Sequence, residues 1–372
     1  MNILHLSGDD KFTDIALRGF EKVHPNSNRL IVYSKNNLCF VKSSCDHTRD
    51  MDYIFNLVQS NNFDFIVIHC LNNFWYELIL ALSPEVKVVW IGWGYDYYDL
   101  IDINLFLPLT LKLKGGEGFI EIFKKKLRKN KKLKLKKKVV ERIDYFCPVL
   151  ESEFYVIKNK YNWFRFPKYI DFNYGSIDVD FTKGFSEELV NGNSILVGNS
   201  ATYENNHLDV FEILNKINKN DLKLIIPLSY GDEDYKDKII KTCDEIVGNE
   251  KKQYLVNYMS IEDYVDIIRS CGNVIMGHLR QQALGNILIM LFLGAKIFLY
   301  KENPIYLYLI SSGFKVYSIE QLLLEPELLE IPLCDNDIAC NKRNLEKLWS
   351  EKSYLLKIEN LINTVVFDNC DK

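Results

Sequence analysis

At 372 residues the chain is longer than one ordinary hydrophobic core serves, so two domains are expected. It is 48% hydrophobic and 13% aromatic, which excludes a disordered chain. The net charge of -4 hides an asymmetry: Lys112 to Lys138 holds 13 Lys/Arg against Glu117 and Glu121, near +11, leaving the rest of the chain near -15.

The elements read as follows in chain order. Strand-like runs "NILHL" (2–6), "RLIVYS" (29–34), "FDFIVIHC" (63–70) and "KVVWIGW" (87–93) are spaced to leave room for helices. "NFWYELILAL" (73–82) has helical apolar spacing, with Pro84 just beyond it. The strand runs are short, β-branched and continuous, as in a parallel sheet covered on both faces. Residues 101–141 break this rhythm with a loop, "KGGEG" (114–118), and a long lysine-rich helix. "DYFCPVL" (144–150) resumes strand character, and "FRFPKYIDFNYG" (164–175) reads as an irregular connection.

A second alternation starts near 193. Strands are expected at "SILVGN" (194–199), "LKLIIPLS" (222–229), "YLVNY" (254–258), "NVIMG" (273–277) and "KIFLY" (296–300). Helices are expected at 206–217, 232–247, 260–271 and 283–294, with Ser260 capping the third through Asp263. Residues 339–368 read as mostly helical. The expectation is two successive doubly wound α/β units. The first covers 1–170, with a basic helical segment at 112–140. A linker follows at 171–192, then the second unit at 193–335 and a C-terminal helical segment at 336–372.

Nine cysteines stand singly, with no C-x-x-C pair and no zinc-type Cys/His spacing, as in a reduced cytoplasmic protein. "MNILHLSGDD" lacks the basic and apolar regions of a signal peptide. The longest apolar stretch, "ALGNILIMLFLGA" (283–295), is too short to cross a bilayer. There is no G-x-G-x-x-G and no Walker A motif.

Candidate chemistry gathers at carboxyl ends of strands, where doubly wound units bind ligands. After "ILV", Gly198 and Asn199 allow a tight turn, and Ser200 and Thr202 present hydroxyls ahead of a helix start, a setting that suits a phosphate or a sugar. "GHLRQQALGN" (277–286) offers Arg280 for a bidentate grip on a diphosphate, and Gly285 for close backbone approach. "LYKENPIY" (299–306) places Glu302 and Asn303 where ribose hydroxyls could be bound. In the first half, "HLSGDD" (5–10) presents Ser7, Gly8 and Asp9, and "WIGWGYDYYDL" (90–100) presents Gly92, Gly94 and Asp96. An aspartate there can act as a general base, and Trp93 and Tyr95 can stack on a sugar. Each stretch also has a plain reading as turn, cap or rim. The lysine run reads as a solvated face, a nucleic-acid contact or an anionic-membrane contact. Its interleaved apolar residues favour a helix at an interface, and no RNA- or DNA-reading signature accompanies it.

Taken in order, "SGD", "WIGWGYDYYDL", "ILVGNS…NNH", "IIPLSYG", "LRQQALGN" and "KENPIY" resemble glycosyltransferase family 56 in colinear blocks from about residue 3 to about residue 320. The resemblance implies a GT-B fold, two Rossmann-like domains facing a cleft. It also implies a bacterial surface-polysaccharide transferase (O-antigen, capsule or common antigen) moving N-acetylfucosamine from a TDP-sugar to a polyprenyl-diphosphate-linked glycan. It implies no metal and no cofactor, so the "DVD" at 178–180 is set aside. Donor-site candidates carried over are Gly198, Asn199, Ser200, Tyr230, Arg280, Gln281, Gln282, Gly285, Asn286, Glu302 and Asn303. Arg280 would stabilise the leaving diphosphate. Asp9 or Asp96 would be the catalytic base, with Ser7, Gly8, Trp93, Gly94 and Tyr95 on the acceptor. The compared family member has "GIG" after its "RQQ", where this chain has Ala283-Leu284-Gly285, and its lysine run is far weaker.

A lipid-linked acceptor implies docking on the inner face of the bacterial inner membrane. The basic helix, through Lys124, Lys125, Lys126, Arg128, Lys129, Lys131 and Lys132, is the expected contact within Lys124–Lys138. No nucleic acid is expected. The competing readings are a GT-B transferase using a UDP- or GDP-sugar, and a non-catalytic nucleotide-sugar or glycan-binding protein.

Overall fold

The structure, a computed structural model, describes residues 1–115, 119–183, 185, 188–217, 223–246 and 251–370, with backbone alone at 119–129, 246, 369 and 370. The chain divides into two units: Met1–Ile103 with Gly118–Asp180 and Leu348–Lys372, and Asn104–Glu117 with Phe181–Lys347.

The first unit holds β1 (Ile3–Ser7), β2 (Asn28–Tyr33), β3 (Asp46–Thr48), β4 (Phe65–His69), β5 (Lys87–Ile91), β6 (Tyr145–Cys147) and β7 (Lys168–Tyr169). They form one parallel sheet in the order β3-β2-β1-β4-β5-β6-β7. β1, β4 and β5 are buried at every position, which is why they read as unbroken apolar runs. The helix Thr13–Val23 crosses from β1 to β2 and carries Gly19. A Cβ at Gly19 would stand 2.4 Å from Ile358 Cδ1 and from the Tyr354 hydroxyl, so its absence lets the helix Glu351–Cys370 lie close. Arg18 bonds both Asp180 (2.7 Å) and Glu351 (2.6 Å), fastening that last helix to this unit.

The second unit holds β8 (Ile195–Val197), β9 (Leu224–Pro227), β10 (Lys252–Leu255), β11 (Asn273–Met276), β12 (Lys296–Leu299) and β13 (Tyr317–Ser318). Their order is β10-β9-β8-β11-β12-β13, again all parallel. Val197, Phe211, Ile226, Tyr235, Ile275 and Phe298 lie in its core. In each sheet the strand order reverses beside the first strand, at β1/β4 and at β8/β11. Crevices at such points hold ligands in this fold class.

The unit boundaries differ from the expected ones in three places. Residues 104–117 belong to the second unit, because Asp209 accepts from Leu109 N (3.0 Å), Thr110 N (3.0 Å) and Thr110 Oγ1 (2.7 Å), and Asn206 Oδ1 accepts from Leu107 N (2.9 Å). Residues 171–180 belong to the first unit through Asp180, rather than to a linker. The C-terminal segment is divided, with Glu351–Cys370 in the first unit and most of the helix Asp335–Trp349 in the second. Within the "KGGEG" loop, 116–118 lie outside the described residues, as do 184, 186 and 187 of the expected linker.

Candidate active site

The turn after β8 is built around missing side-chain atoms. Gly198 has φ +67°, and a Cβ there would fall 2.5 Å from His207 Nε2 and 2.7 Å from Asn205 Oδ1. That space lets Asn199 N donate to Asn205 Oδ1 (2.8 Å). The Asn199 side chain then becomes a hub. Its Nδ2 donates to the Tyr230 hydroxyl (2.8 Å), and its Oδ1 accepts from His278 Nε2 (3.1 Å) and Gln282 Nε2 (3.1 Å). His278 Nε2 also reaches Asn205 Oδ1 (2.9 Å). Because both of its partners are amide oxygens, Nε2 carries the hydrogen, and Nδ1 is left buried without a partner. Burial, then the nearby Arg280 charge, pushes the His278 pKa well down, so the ring is neutral. Asn205 Nδ2 holds Ser200 Oγ (3.1 Å) and Thr202 Oγ1 (2.9 Å), and Ser200 is fully buried.

The helix Leu284–Phe292 opens beside this cluster with no side-chain cap, its N-cap Ala283 in the left-handed region at φ +59°. An uncapped helix start offers backbone N–H groups and a positive dipole end to an anion. Gln282 Oε1 is buried there without a partner. Arg280, partly exposed, bonds Gln281 O through Nη1 (3.0 Å). The start of the helix His207–Lys216 does not serve the same purpose. Its polar side chains Asn206 and Asp209 hold residues 105–110 instead.

The structure thus brings Gly198, Asn199, Ser200, Tyr230, Gln282 and Arg280 to the ends of β8, β9 and β11. Other donor-site candidates sit differently. Asn303 is fully buried, caps its helix through Ile305 N (2.8 Å) and holds the carbonyls of His278 (2.9 Å) and Arg280 (3.2 Å), so it positions the arginine loop from behind. Glu302 is exposed and Asn286 partly exposed. A Cβ at Gly285 would meet only Phe181, at 3.7 Å, so nothing in the fold demands glycine there. His278 and Asn205 were missed in the sequence, although "GHLRQQ" and "ENNH" display both.

At the carboxyl ends of β1, β2, β4 and β5 the first unit has a pocket of about 400 Å³. Gly8, Asp9, Trp93 and Tyr95 line it, together with Asp10, Tyr33, Ser34, Asn36, Asn37, Cys39, Phe40, Asn72 and Phe74. Ser7 and Gly94 are not among its lining. Ser7 Oγ is buried against Gly8 O (2.8 Å) and Thr13 Oγ1 (2.7 Å), so it secures the turn and presents nothing to a ligand.

The two aspartates expected as base are both committed to loops. Asp9 accepts from Cys39 N (2.6 Å), Phe40 N (3.0 Å) and Val41 N (2.9 Å). Against the push of partial burial, these bonds hold its carboxyl below the usual range. Asp96 is 5% exposed, away from the pocket lining, and accepts from Leu71 N, Trp90 Nε1 and Trp93 N, each at 2.8 Å. Burial raises its pKa against those bonds. The "DVD" aspartates are structural as well: Asp178 accepts from Glu351 N (2.9 Å), and Asp180 pairs with Arg18. Among the described residues no cluster of three His, Cys, Asp or Glu could hold a metal ion.

The lysine-rich segment is the helix Phe119–Arg142. The side chains of Lys124, Lys125, Lys126, Arg128 and Lys129 lie outside the described residues. Lys131 and Lys132 are exposed. Lys136, inside the expected membrane-contact range, is buried and donates to Asp96 O and Asp99 Oδ1, so it serves the fold. Lys137 lies over the rings of Tyr161 (4.8 Å) and Trp163 (5.2 Å), next to Phe164, which is 95% exposed. No helix among the described residues is long and apolar enough to cross a membrane.

Solved structures share this fold over nearly the whole chain. A glycosyltransferase from Rickettsia africae matches with TM-score 0.65 at 11% identity, covering 98% of each chain. Sucrose-phosphate synthase from Thermosynechococcus elongatus matches with TM-score 0.65 at 8% identity, covering 98% of this chain and 99% of its own. The Anabaena protein Alr3699/HepE, in complex with UDP and glucose, matches with TM-score 0.65 at 9% identity, covering 98% of this chain and all of its own. These likenesses show the GT-B fold, and together with the family match that follows they support a glycosyltransferase. Residues 177–341 match the model of one family, described as 4-alpha-L-fucosyltransferase, glycosyl transferase group 56. That stretch contains the whole β8–β13 sheet and the polar cluster described above.

Proposed function

We propose that this glycosyltransferase moves a deoxyamino sugar of the N-acetylfucosamine type from a TDP-sugar to a polyprenyl-diphosphate-linked glycan, in bacterial surface-polysaccharide synthesis. The observation that carries the reading is the polar cluster of the second unit, beside the uncapped start of Leu284–Phe292. A diphosphate fits a helix start of this kind, with Arg280 beside it to meet the charge that grows as the sugar–oxygen bond breaks. His278 Nδ1 and Gln282 Oε1 are buried atoms with lone pairs to offer, suited to sugar or ribose hydroxyls. The sugar and nucleotide rest on the family match and on the blocks that resemble it. The alternative donor is a UDP-sugar, favoured by the UDP complex of the Anabaena neighbour. On this reading the enzyme works at the cytoplasmic face of the inner membrane, with the basic helix toward anionic lipid.

Thermal shift against TDP, UDP, GDP and CDP, with and without EDTA, tests the donor side, since a ligand bound only by the folded state raises its melting temperature. Stabilisation by TDP that ignores EDTA and disappears in Arg280→Ala is expected. Selectivity for UDP would replace the donor. No response to any nucleotide would remove the reading.

A further inference from the structure

Three carboxylates stand near the ends of the first unit's strands, and their hydrogen bonds separate them. Asp9 spends both oxygens on the 39–41 loop. Asp96 spends both on Leu71, Trp90 and Trp93. Asp10 is unlike either. It lines the pocket, its Oδ1 accepts one bond, from Phe12 N at 3.0 Å, and its Oδ2 accepts none among the described residues. Its main chain is fixed as well, because Thr13 N donates to its carbonyl (3.2 Å) at the start of the helix Thr13–Val23. A carboxylate held by one oxygen, on a residue that lines a cavity, is placed to take a proton.

The cavity has the chemistry of a sugar site. Its lining includes the aromatic rings of Tyr33, Phe40, Phe74, Trp93 and Tyr95, which suit the apolar side of a pyranose, and the amides of Asn36, Asn37 and Asn72, which suit its hydroxyls. At about 400 Å³ it lies within the range of small-molecule sites. It opens where the strand order reverses, the usual ligand position in this architecture.

We infer that this pocket receives the terminal sugar of the acceptor glycan and that Asp10 is the catalytic base of the transfer. The inference rests on the transferase reading above. In the step, the acceptor O–H gives its proton to Asp10 Oδ2, and the acceptor oxygen bonds to the anomeric carbon of the donor. The bond from that carbon to the phosphate oxygen breaks, and its electron pair leaves with the nucleoside diphosphate. Burial raises the Asp10 pKa above the ordinary carboxylate value, which makes it a better proton acceptor at working pH. Asp9 is a positioning residue: it closes the 39–41 wall of the same pocket.

The test is steady-state kinetics of the full chain, following TDP release from TDP-4-acetamido-4,6-dideoxygalactose with a short-prenyl diphosphate disaccharide as acceptor. Asp10→Asn is expected to lower kcat at least about 100-fold, with both KM values within about threefold of wild type. The wild-type rate falls as pH drops through the Asp10 pKa, because the base must be ionised, and this acid limb is absent in Asp10→Asn. Formate restores part of the turnover to Asp10→Ala and none to Asp9→Ala. Asp9→Asn chiefly raises the acceptor KM. The TDP thermal shift of Asp10→Asn equals that of wild type. The assignment is overturned if Asp10→Asn keeps kcat within threefold and retains the acid limb, or if its loss of rate comes with loss of the TDP shift. A wild type that binds TDP yet transfers to no acceptor would overturn the transferase reading, and this inference with it.

Discussion

Ala283 occupies the left-handed region at φ +59°, a conformation that favours glycine. The compared family member has glycine in this part of its "GIG". Ala283→Gly is therefore expected to raise stability by about 0.5–1 kcal/mol, read as a higher urea midpoint. An unchanged or lower midpoint would show that the αL geometry costs nothing here. Gly198 is the opposite case, since a Cβ there collides with His207 and Asn205 as well as straining φ. Gly198→Ala is expected to cost roughly 2 kcal/mol or more and to abolish the nucleotide shift, by driving apart the hub on Asn199. The "GNS" turn was legible because its purpose is local: a strand, a glycine and a helix within a dozen residues. The choice among aspartates was not. Asp9 accepts from three amides some thirty residues away, and Asp96 accepts from Leu71 N, twenty-five residues away. Asp9 and Asp10 are adjacent letters, and only tertiary structure shows which one keeps a free oxygen.

Among the elements, the long buried strands were read from composition because both faces of each are covered. β3, β7 and β13 were missed. Each has two or three residues and lies at a sheet edge, where half-covered strands carry no continuous apolar signal. The lysine-rich helix was legible as a helix, but its charge was read too uniformly. Lys136 turns inward to Asp96 and Asp99, and Lys137 covers Tyr161 and Trp163, while Phe164 stands out to solvent. On the membrane reading, an exposed aromatic beside cationic side chains adds apolar insertion to electrostatic attraction. Phe164→Ala should weaken partition onto vesicles containing anionic lipid by roughly tenfold. Lys131→Glu with Lys132→Glu should remove most of the dependence on anionic lipid. Vesicle cosedimentation that is the same for wild type and both variants would end the membrane reading.

For the whole molecule, the histidines dominate the expected pH response. His5 and His69 touch ring to ring (Nδ1 to Nε2, 3.0 Å) within the first sheet, and His207 and His278 are buried in the second unit. Burial lowers all four, His5 to about 4 and His207 to about 3, against an ordinary value of 6.5. A depressed pKa means that only the unfolded chain binds the proton near neutrality. The stability is complete above pH 6.5 and is lost as pH falls from there toward about 4. Each buried histidine steepens the loss of stability in that window. Urea midpoints level between pH 7 and 8 and falling steeply from 6.5 to 5 are expected. A flat profile down to pH 5 would mean that the rings are protonated in the folded chain.

The last helix, Glu351–Cys370, is part of the first unit, yet it is made after the whole of the second. During synthesis the first sheet therefore waits for roughly 170 further residues, about 10–30 s at typical ribosomal rates, with the groove beside Gly19 uncovered. Tyr354, Ile358 and Glu351 arrive last to fill that groove and to neutralise Arg18. The half of the enzyme made first is thus the half completed last, and while it waits it is the natural client of a chaperone.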